Sequence, residues 1–419
     1  MATGASHVVA ALGEMDLSQR FDPFDPAQAV DPFPIWKESV EREPVFYSAP
    51  LGAWIVTRHA IIEKVLQDNT HFLNSGLSTI RTHPPEVQAI LDQVRERAQP
   101  LRAIDAPEHM RRRRLSQGGV SPQRVSQLEP RVREIANALV DGFYAEGRCD
   151  FYERFAYRYP LAVISSLLGF PIEAADKLHH WANCRVAIAW GNEEIERYGE
   201  IARGVVEFHE FIEAEVKKHQ VEPRDDMISD FVRINADAKQ PVSMSELIEQ
   251  LHSLVTAGHE STANWITLTL FNLLHDRSRW EKVCARPEGI PKMLEEALRF
   301  DGPVLGVWRR AGADAEIEGV PIAEHAKVYC VVGAGNRDPE VFDDPAAFAP
   351  ERDNLRQLMT FGRGPHTCIG ASLARLEGRV AFGVLVERLP NVRLAQDRLE
   401  FGENATLRMP RRLLLEWDV

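Results

Sequence analysis

The chain has 419 residues, 44% hydrophobic and 26% charged, which is the balance of a globular protein long enough to bury a large core. Glycine and proline number 26 each, which excludes collagen-like and low-complexity classes. Lys and Arg number 49 against 62 Asp and Glu, and the resulting net charge of −13 lacks the basic footprint of a nucleic-acid-binding chain.

Met1 to Gln19 has no basic start followed by an apolar run, so no signal peptide is read. No run of ~18 apolar residues predicts a membrane span. Residues 1–35, with FDPFDP and VDPFP, read as an extended arm rather than a helix. Pro44 to Tyr47 and Trp54 to Thr57 are strand-like about a Pro50-Leu51-Gly52 turn. Apolar spacing then predicts helices over Arg58–Gln67, Val87–Arg97, Glu108–Ser116, Ser126–Ala145, Tyr159–Leu168, Glu173–Trp190 and Glu193–His219. Ser243 and Glu246 carry a capping-box signature, and the pattern runs without proline to about His275. That is ~30 residues, a rod of ~45 Å. A further helix is predicted over Pro291–Arg299, strands over Ala315–Ile317 and Lys327–Val332, and an irregular stretch from Arg337 to Arg352. A last helix, Ala371–Leu389, precedes C-terminal strands. With no internal repeat and no linker, the prediction is a mainly α protein with small β-sheets, one unit over 1–419.

The five cysteines, Cys149, Cys184, Cys284, Cys330 and Cys368, are odd in number and widely spaced. They predict neither a disulfide framework nor a zinc site, and a reducing cytoplasm is the simplest compartment. Cys368 lies in Phe361-Gly-Arg-Gly-Pro-His-Thr-Cys368-Ile-Gly370, just before a helix. Glycines let such a loop turn tightly, and the N–H groups of a helix start stabilise a thiolate. A thiolate is a good iron ligand. The bland alternative is a glycine-rich turn beside an inert cysteine. Phe361, Gly364, Cys368 and Gly370 fit FxxGxxxCxG, which resembles the haem-thiolate loop of the cytochromes P450. The resemblance implies the cytochrome P450 fold, haem b as cofactor, Cys368 as the iron ligand, and Phe361, Gly362 and Gly370 packed about it.

Other segments agree with that resemblance in the family's order. Glu296-Ala-Leu-Arg299 matches its ExxR motif, with Arg352 as the arginine that joins the pair, a structural role. Gly335-Asn-Arg-Asp-Pro339 matches another recurring segment. Ala257-Gly258-His259-Glu260-Ser261-Thr262 resembles the oxygen-activation segment, with Glu260 and Ser261 as the acid–alcohol pair and Thr262 one place beyond the usual threonine. A mid-helix glycine costs ~1 kcal/mol relative to alanine. Close approach of a planar macrocycle would compensate, as would a notch for helix packing. His109, Arg113, Arg309 and His366 match the haem-propionate contacts. Arginine forks suit carboxylates. Arg111, Arg112 and Arg363 are candidates for an outward patch that docks an acidic electron carrier.

The activity implied is a monooxygenase that inserts one atom of O2 into a small hydrophobic organic substrate, by hydroxylation or by O- or N-dealkylation. Family-like pocket walls fall in residues 73–104, 170–200, Leu254 to Ala257, Val304 to Val307 and Asn404 to Leu407, with Leu254, Val304, Leu305 and Val307 as apolar candidates. The segments Val304–Ala311 and Leu415–Val419 resemble the haem domains of P450–reductase–ferredoxin fusions. No flavin domain and no iron–sulfur cysteine cluster is read here. Electrons are therefore expected from a separate ferredoxin or flavodoxin with an NAD(P)H-dependent reductase, with no nucleic acid and no membrane as partner. Two other classes remain at this stage: a peroxide-driven haem-thiolate peroxygenase and a non-catalytic haem-binding protein.

Overall fold

A computed structural model describes residues 16–77, 83–94, 98–190 and 195–419. The start of the chain departs from the extended reading. Leu17–Arg20 (α1) and Pro26–Val30 (α2) are short helices, and Phe33–Arg42 (α3) follows directly. Proline favours this where it occupies the first helical position, and Asp25 caps α2 by accepting from the N–H groups of Ala27 and Gln28. Residues 1–15 lie outside the described chain.

The hairpin forms as Val45–Ser48 (β1) and Ala53–Val56 (β2), turning at Gly52 with φ 62°. His59–Gln67 (α4), Phe72–Leu73 (β3) and Pro85–Leu91 (α5) follow, and the last stops short of the helix predicted to Arg97. Glu108–Gly119 (α6) forms as predicted. The long helix predicted over Ser126–Ala145 is instead two, Pro122–Gln127 (α7) and Glu129–Asp141 (α8). Pro130 is the reason: it lacks an N–H and its ring clashes with the carbonyl four residues back, so it sits in the first turn of a new helix.

Arg148–Asp150 (β4), Arg158–Leu168 (α9), Ala175–Trp190 (α10) and Ile195–Val221 (α11) come next. Met227–Ala236 (α12), capped by Asp226, was not read from the sequence. Met244–His275 (α13) is the long rod, with its capping box formed as Ser243 and Glu246 predict. Arg277–Ala285 (α14) and Ile290–Phe300 (α15) lead into the strands Val307–Ala311 (β5), Ala315–Ile317 (β6), Val320–Ile322 (β7) and Lys327–Cys330 (β8). Val332–Gly335 (α16), Ala371–Arg388 (α17) and the strands Arg393–Leu394 (β9), Phe401–Gly402 (β10), Met409–Pro410 (β11) and Leu414–Glu416 (β12) complete the order.

The largest sheet runs β1-β2-β8-β5-β3, antiparallel except for the parallel β2–β8 pair. A three-stranded sheet, β4-β12-β9, ties the C-terminus to the middle of the chain. The main core lies where α8, α9, α15 and α17 surround α13, with Trp265, Phe155, Leu294 and Phe382 buried together. Close packing is enforced at Gly378 of α17, where a Cβ would come within 2.6 Å of the Trp265 ring. A second core lies on the large sheet and a third joins Phe21, Trp36 and Phe46 to Leu305 and Tyr329. Among the described residues, no helix is long and apolar enough to cross a membrane.

Candidate active site

Cys368 stands at the end of a loop that sterics hold in one shape. Gly362 and Gly364 take φ of 73° and 71°, and a Cβ on Gly364 would lie 2.6 Å from the Leu66 carbonyl oxygen. The Cys368 N–H donates to the Phe361 carbonyl at 2.8 Å and closes the turn. Burial pushes the Cys368 thiol up, and the N–H groups of Gly370 and Ala371, with Arg113 and Arg375, pull it back toward the thiolate. The Arg375 guanidinium sits 4.4 Å from the Phe361 ring centroid and forks onto Glu295 at 2.6 and 3.0 Å. Although deep in the chain, the cysteine side chain is exposed, because it opens into a cavity.

Behind this loop lies a buried ion cluster. Arg299 donates to both Glu296 oxygens at 2.7 Å, and Arg352 reaches the same carboxylate at 3.4 Å. Arg299 also donates to the carbonyls of Asn336, Pro345 and Ala347. The Ala349 N–H donates to Glu296 at 2.7 Å, so α15 and the irregular stretch are fastened together at one point. In the adjoining segment Asp338 accepts from the His59 N–H at 2.9 Å, and Asn336 accepts from the Met359 N–H at 2.6 Å.

The cavity above Cys368 has a cationic rim. His109 and His366 stack with ring centroids 3.9 Å apart. Arg113 donates to the Thr367 carbonyl at 2.6 Å, and Arg309 is buried with one bond to the Trp308 carbonyl. Burial, with His109 and Arg309 nearby, pulls His366 down to about 3. His109 Nε2 and Arg309 Nε are buried without a hydrogen-bond partner. Among the described residues, no Asp or Glu lines this cavity. Buried donors rarely go unsatisfied, so a rim of imidazole and guanidinium N–H groups of this kind calls for an acceptor such as a carboxylate.

The helix α13 forms one wall with Leu254 and Ala257. Ser261 donates its hydroxyl to the Ala257 carbonyl at 2.7 Å, one turn back. Gly258 faces α9, where a Cβ would meet Ile164 at an ordinary 3.8 Å, so it serves as a helix-packing notch. Glu260 does not line this cavity. It is buried, its Oε2 has no partner, and it borders a second cavity with Tyr152, Asn183, Arg197, Glu200 and Asn404. Burial alone pushes its carboxyl up to about 8. Thr262 is buried in helix packing, and His259 donates to the Tyr157 carbonyl at 2.9 Å while burial pulls it down to about 3.

Of the apolar pocket candidates, Leu254 and Val307 line the cavity. Leu305 packs into the core with Phe21, Trp36 and Tyr329, and Val304 bridges to Leu407; neither faces the cavity. Leu305 and Val307, two residues apart, would share a face in a continuous strand; the chain is not strand at 305–306, and that irregular step before β5 turns them to different sides. The proposed outward patch also changes. Arg111 is held by Glu108 and Glu246, Arg112 is buried and donates to the Gln99 carbonyl, and Arg363 lies 3.6 Å from Glu63. The sequence singled out neither Arg102 nor Arg185, though both fall in the expected wall segments, and it missed Gln250 and Ser253 outright. Helical spacing was the available signal: Gln250 lies one turn before Leu254 and Ser253 one turn before Ala257, on the same face.

The comparisons agree with this geometry. The family model for Cytochrome P450 matches residues 290–407, from the Glu296 helix through the cysteine loop. The polyketide biosynthesis cytochrome P450 PksS of Bacillus subtilis is 31% identical over 389 residues, covering 90% of this chain and 94% of that protein. The chain belongs to the cytochrome P450 family. It is similar to cytochrome P450 CREJ, solved in complex with (4-ethylphenyl) dihydrogen phosphate, at a TM-score of 0.91 and 29% identity, over 96% of this chain and 100% of that one. It is also similar to an intact type IV self-sufficient cytochrome P450 monooxygenase, at a TM-score of 0.92 and 32% identity, covering 96% of this chain but 53% of that one. This protein is thus a P450 monooxygenase, and P450 chemistry uses haem and O2. Its residues fit that group: a sulfur opens onto the cavity, Ala257 of α13 lines it, and the rim carries buried N–H donors of His109 and Arg309 that lack a partner and suit carboxylates.

Proposed function

We propose that residues 1–419 form a single cytoplasmic haem domain that inserts one atom of O2 into an organic substrate whose reacting part is hydrophobic. The observation that carries this is Cys368, set just before α17 under a rim in which His109 Nε2 and Arg309 Nε are buried without a hydrogen-bond partner. Cys368 is the iron ligand of haem b, and His109, Arg113, Arg309 and His366 hold its propionates. When bound, the haem supplies oxygen activation, which thiolate ligation favours by pushing electron density toward iron. The reaction is substrate-H + O2 + two electrons + two protons to substrate-OH + water. A hydroxylated carbon that bears oxygen or nitrogen then collapses to a dealkylated product.

The chain's own residues place the substrate and manage protons. Leu254, Ala257, Val307 and Ile369 form apolar walls that keep bulk water from the reacting carbon. Glu260 carries its proton at neutral pH, because its carboxyl is raised to about 8. Its second cavity gives it a polar surrounding on the side away from Cys368, from which it recharges. Ser261, next in sequence, is the alcohol of the acid–alcohol pair, and its hydroxyl rests on the carbonyl of Ala257, a residue of the cavity wall. Electrons come from a separate ferredoxin or flavodoxin, reduced by an NAD(P)H-dependent reductase. It docks over the groove lined by Lys292, Arg352, Arg356, Arg375 and Arg379, since Arg375 also touches Phe361 behind the cysteine.

The deciding experiment is the absorption spectrum of dithionite-reduced protein under CO. A strongly red-shifted Soret band supports thiolate ligation, and Cys368→Ser is expected to abolish it without loss of helical circular dichroism. A globin-like band in the wild type, or a red-shifted band that persists in Cys368→Ser, overturns the assignment.

A further inference from the structure

The wall of the main cavity changes character along α13. Near Cys368 it is apolar, with Leu254 and Ala257. Toward the helix start it becomes polar, with Ser253 and Gln250 joined by Arg185 of α10 and Arg102 from the stretch before α6. Gln250 is 2% exposed and its Oε1 has no partner, while its amide nitrogen donates to Ser116. Arg185 is 7% exposed, and among the described residues its one hydrogen bond is to Glu249. A guanidinium offers five N–H donors, and the bond to Glu249 does not exhaust them. Ser253 steadies the same Glu249 oxygen at 3.2 Å, and Glu249 lies behind the arginine rather than on the cavity wall.

Burying these groups costs free energy that a purely apolar ligand would never offset. Apolar side chains at the same helix positions would suit such a ligand better. Glu249 precedes Ala257 by eight residues, which is ~12 Å along the helix axis. From this geometry we propose that the substrate is an amphiphile: an apolar end that reacts near Ala257, and an anionic oxygen head group, carboxylate or phosphate monoester, that accepts from Arg185 and Arg102. Glu249 is a positioning residue, which holds the Arg185 fork toward the cavity. This inference rests on the monooxygenase reading of the site and adds the chemical class of its substrate.

The test uses the haem-loaded protein and isosteric probes. 4-Ethylbenzoate, 4-ethylphenyl phosphate and the neutral 4-ethylbenzamide are titrated, following the Soret shift and, in parallel, heat by calorimetry. At least one anion is expected to bind ten-fold or more tightly than the amide, and which one does so identifies the head group. Arg102→Gln and the paired variant Arg185→Gln/Glu249→Gln, which leaves no buried charge unpaired, are expected to erase that preference and leave amide binding unchanged. Equal or tighter binding of the amide by the wild type, with a normal red-shifted CO band on the same sample, overturns the head-group assignment alone. Loss of the CO band overturns the haem-thiolate reading instead, and calorimetry still decides the anion preference.

Discussion

Glu260 shows how one side chain links burial to pH. Its carboxyl is raised to about 8 by burial, whereas an unfolded chain releases that proton near 4.5. Between those values the folded state holds more protons than the unfolded state, so stability declines as pH rises from 4.5 through 8. Glu260→Gln removes that slope. Urea unfolding at pH 5 and pH 8.5 is expected to show the variant gaining on the wild type by a few kcal/mol at the higher pH, since each pKa unit is worth about 1.4 kcal/mol. A pH-independent difference between the two would show that Glu260 does not titrate in this window. The acid's place in the chain was legible from its motif. Its distance from the main cavity was not, because one position along a helix rotates a side chain by about 100° and only the neighbouring helices decide what it meets.

At the scale of elements, the cysteine loop depends on supports distant in sequence. Glu296→Gln leaves Arg299 with a weakened partner in a fully buried place. Breaking such a pair costs about 3–5 kcal/mol. A lower Tm is expected, with haem released before the helices melt, read by comparing the Soret band with far-ultraviolet circular dichroism during heating. Gly364→Ala acts locally: a positive φ and a 2.6 Å approach to the Leu66 carbonyl make any Cβ strained, at about 1–3 kcal/mol. Chemical denaturation of the variant measures that loss. The sequence exposed α13, α15 and α17 well, because their apolar period and caps are strong local signals. It hid α12, β5 and the break before α8. The first two are short and take their form from what they pack against, and the third turns on Pro130, a local signal outweighed by apolar spacing on either side.

The whole molecule carries a net charge of −13, yet the groove behind the cysteine gathers Lys292, Arg352, Arg356, Arg375 and Arg379. The lining there sets five cations against Glu295 and Asp353, and Lys292, Arg375 and Arg379 are also paired with Glu351, Glu295 and Glu129, so an acidic electron carrier is steered to the groove only at short range. Reduction by an acidic ferredoxin, followed by stopped flow, is expected to slow as salt rises. Arg356→Glu is expected to slow it severalfold at low salt and little at high salt. A salt-insensitive rate would place docking elsewhere. Of the arginines first favoured for this role, Arg112 is buried and Arg111 is held between Glu108 and Glu246 with 21% of its side chain exposed, whereas Arg375 and Arg379, though paired, stay 45% exposed. The sequence by itself determined the class of protein: motif spacings, helix periods and caps are local, and FxxGxxxCxG, ExxR and the long capped rod are each written in one unbroken stretch of chain. Only the tertiary structure decided which charges are spent internally, that Leu305 joins the core while Val307 faces the cavity, and that Arg185 and Gln250 line its far end. Those outcomes depend on residues tens to hundreds of positions apart, and no local pattern records which of them will meet.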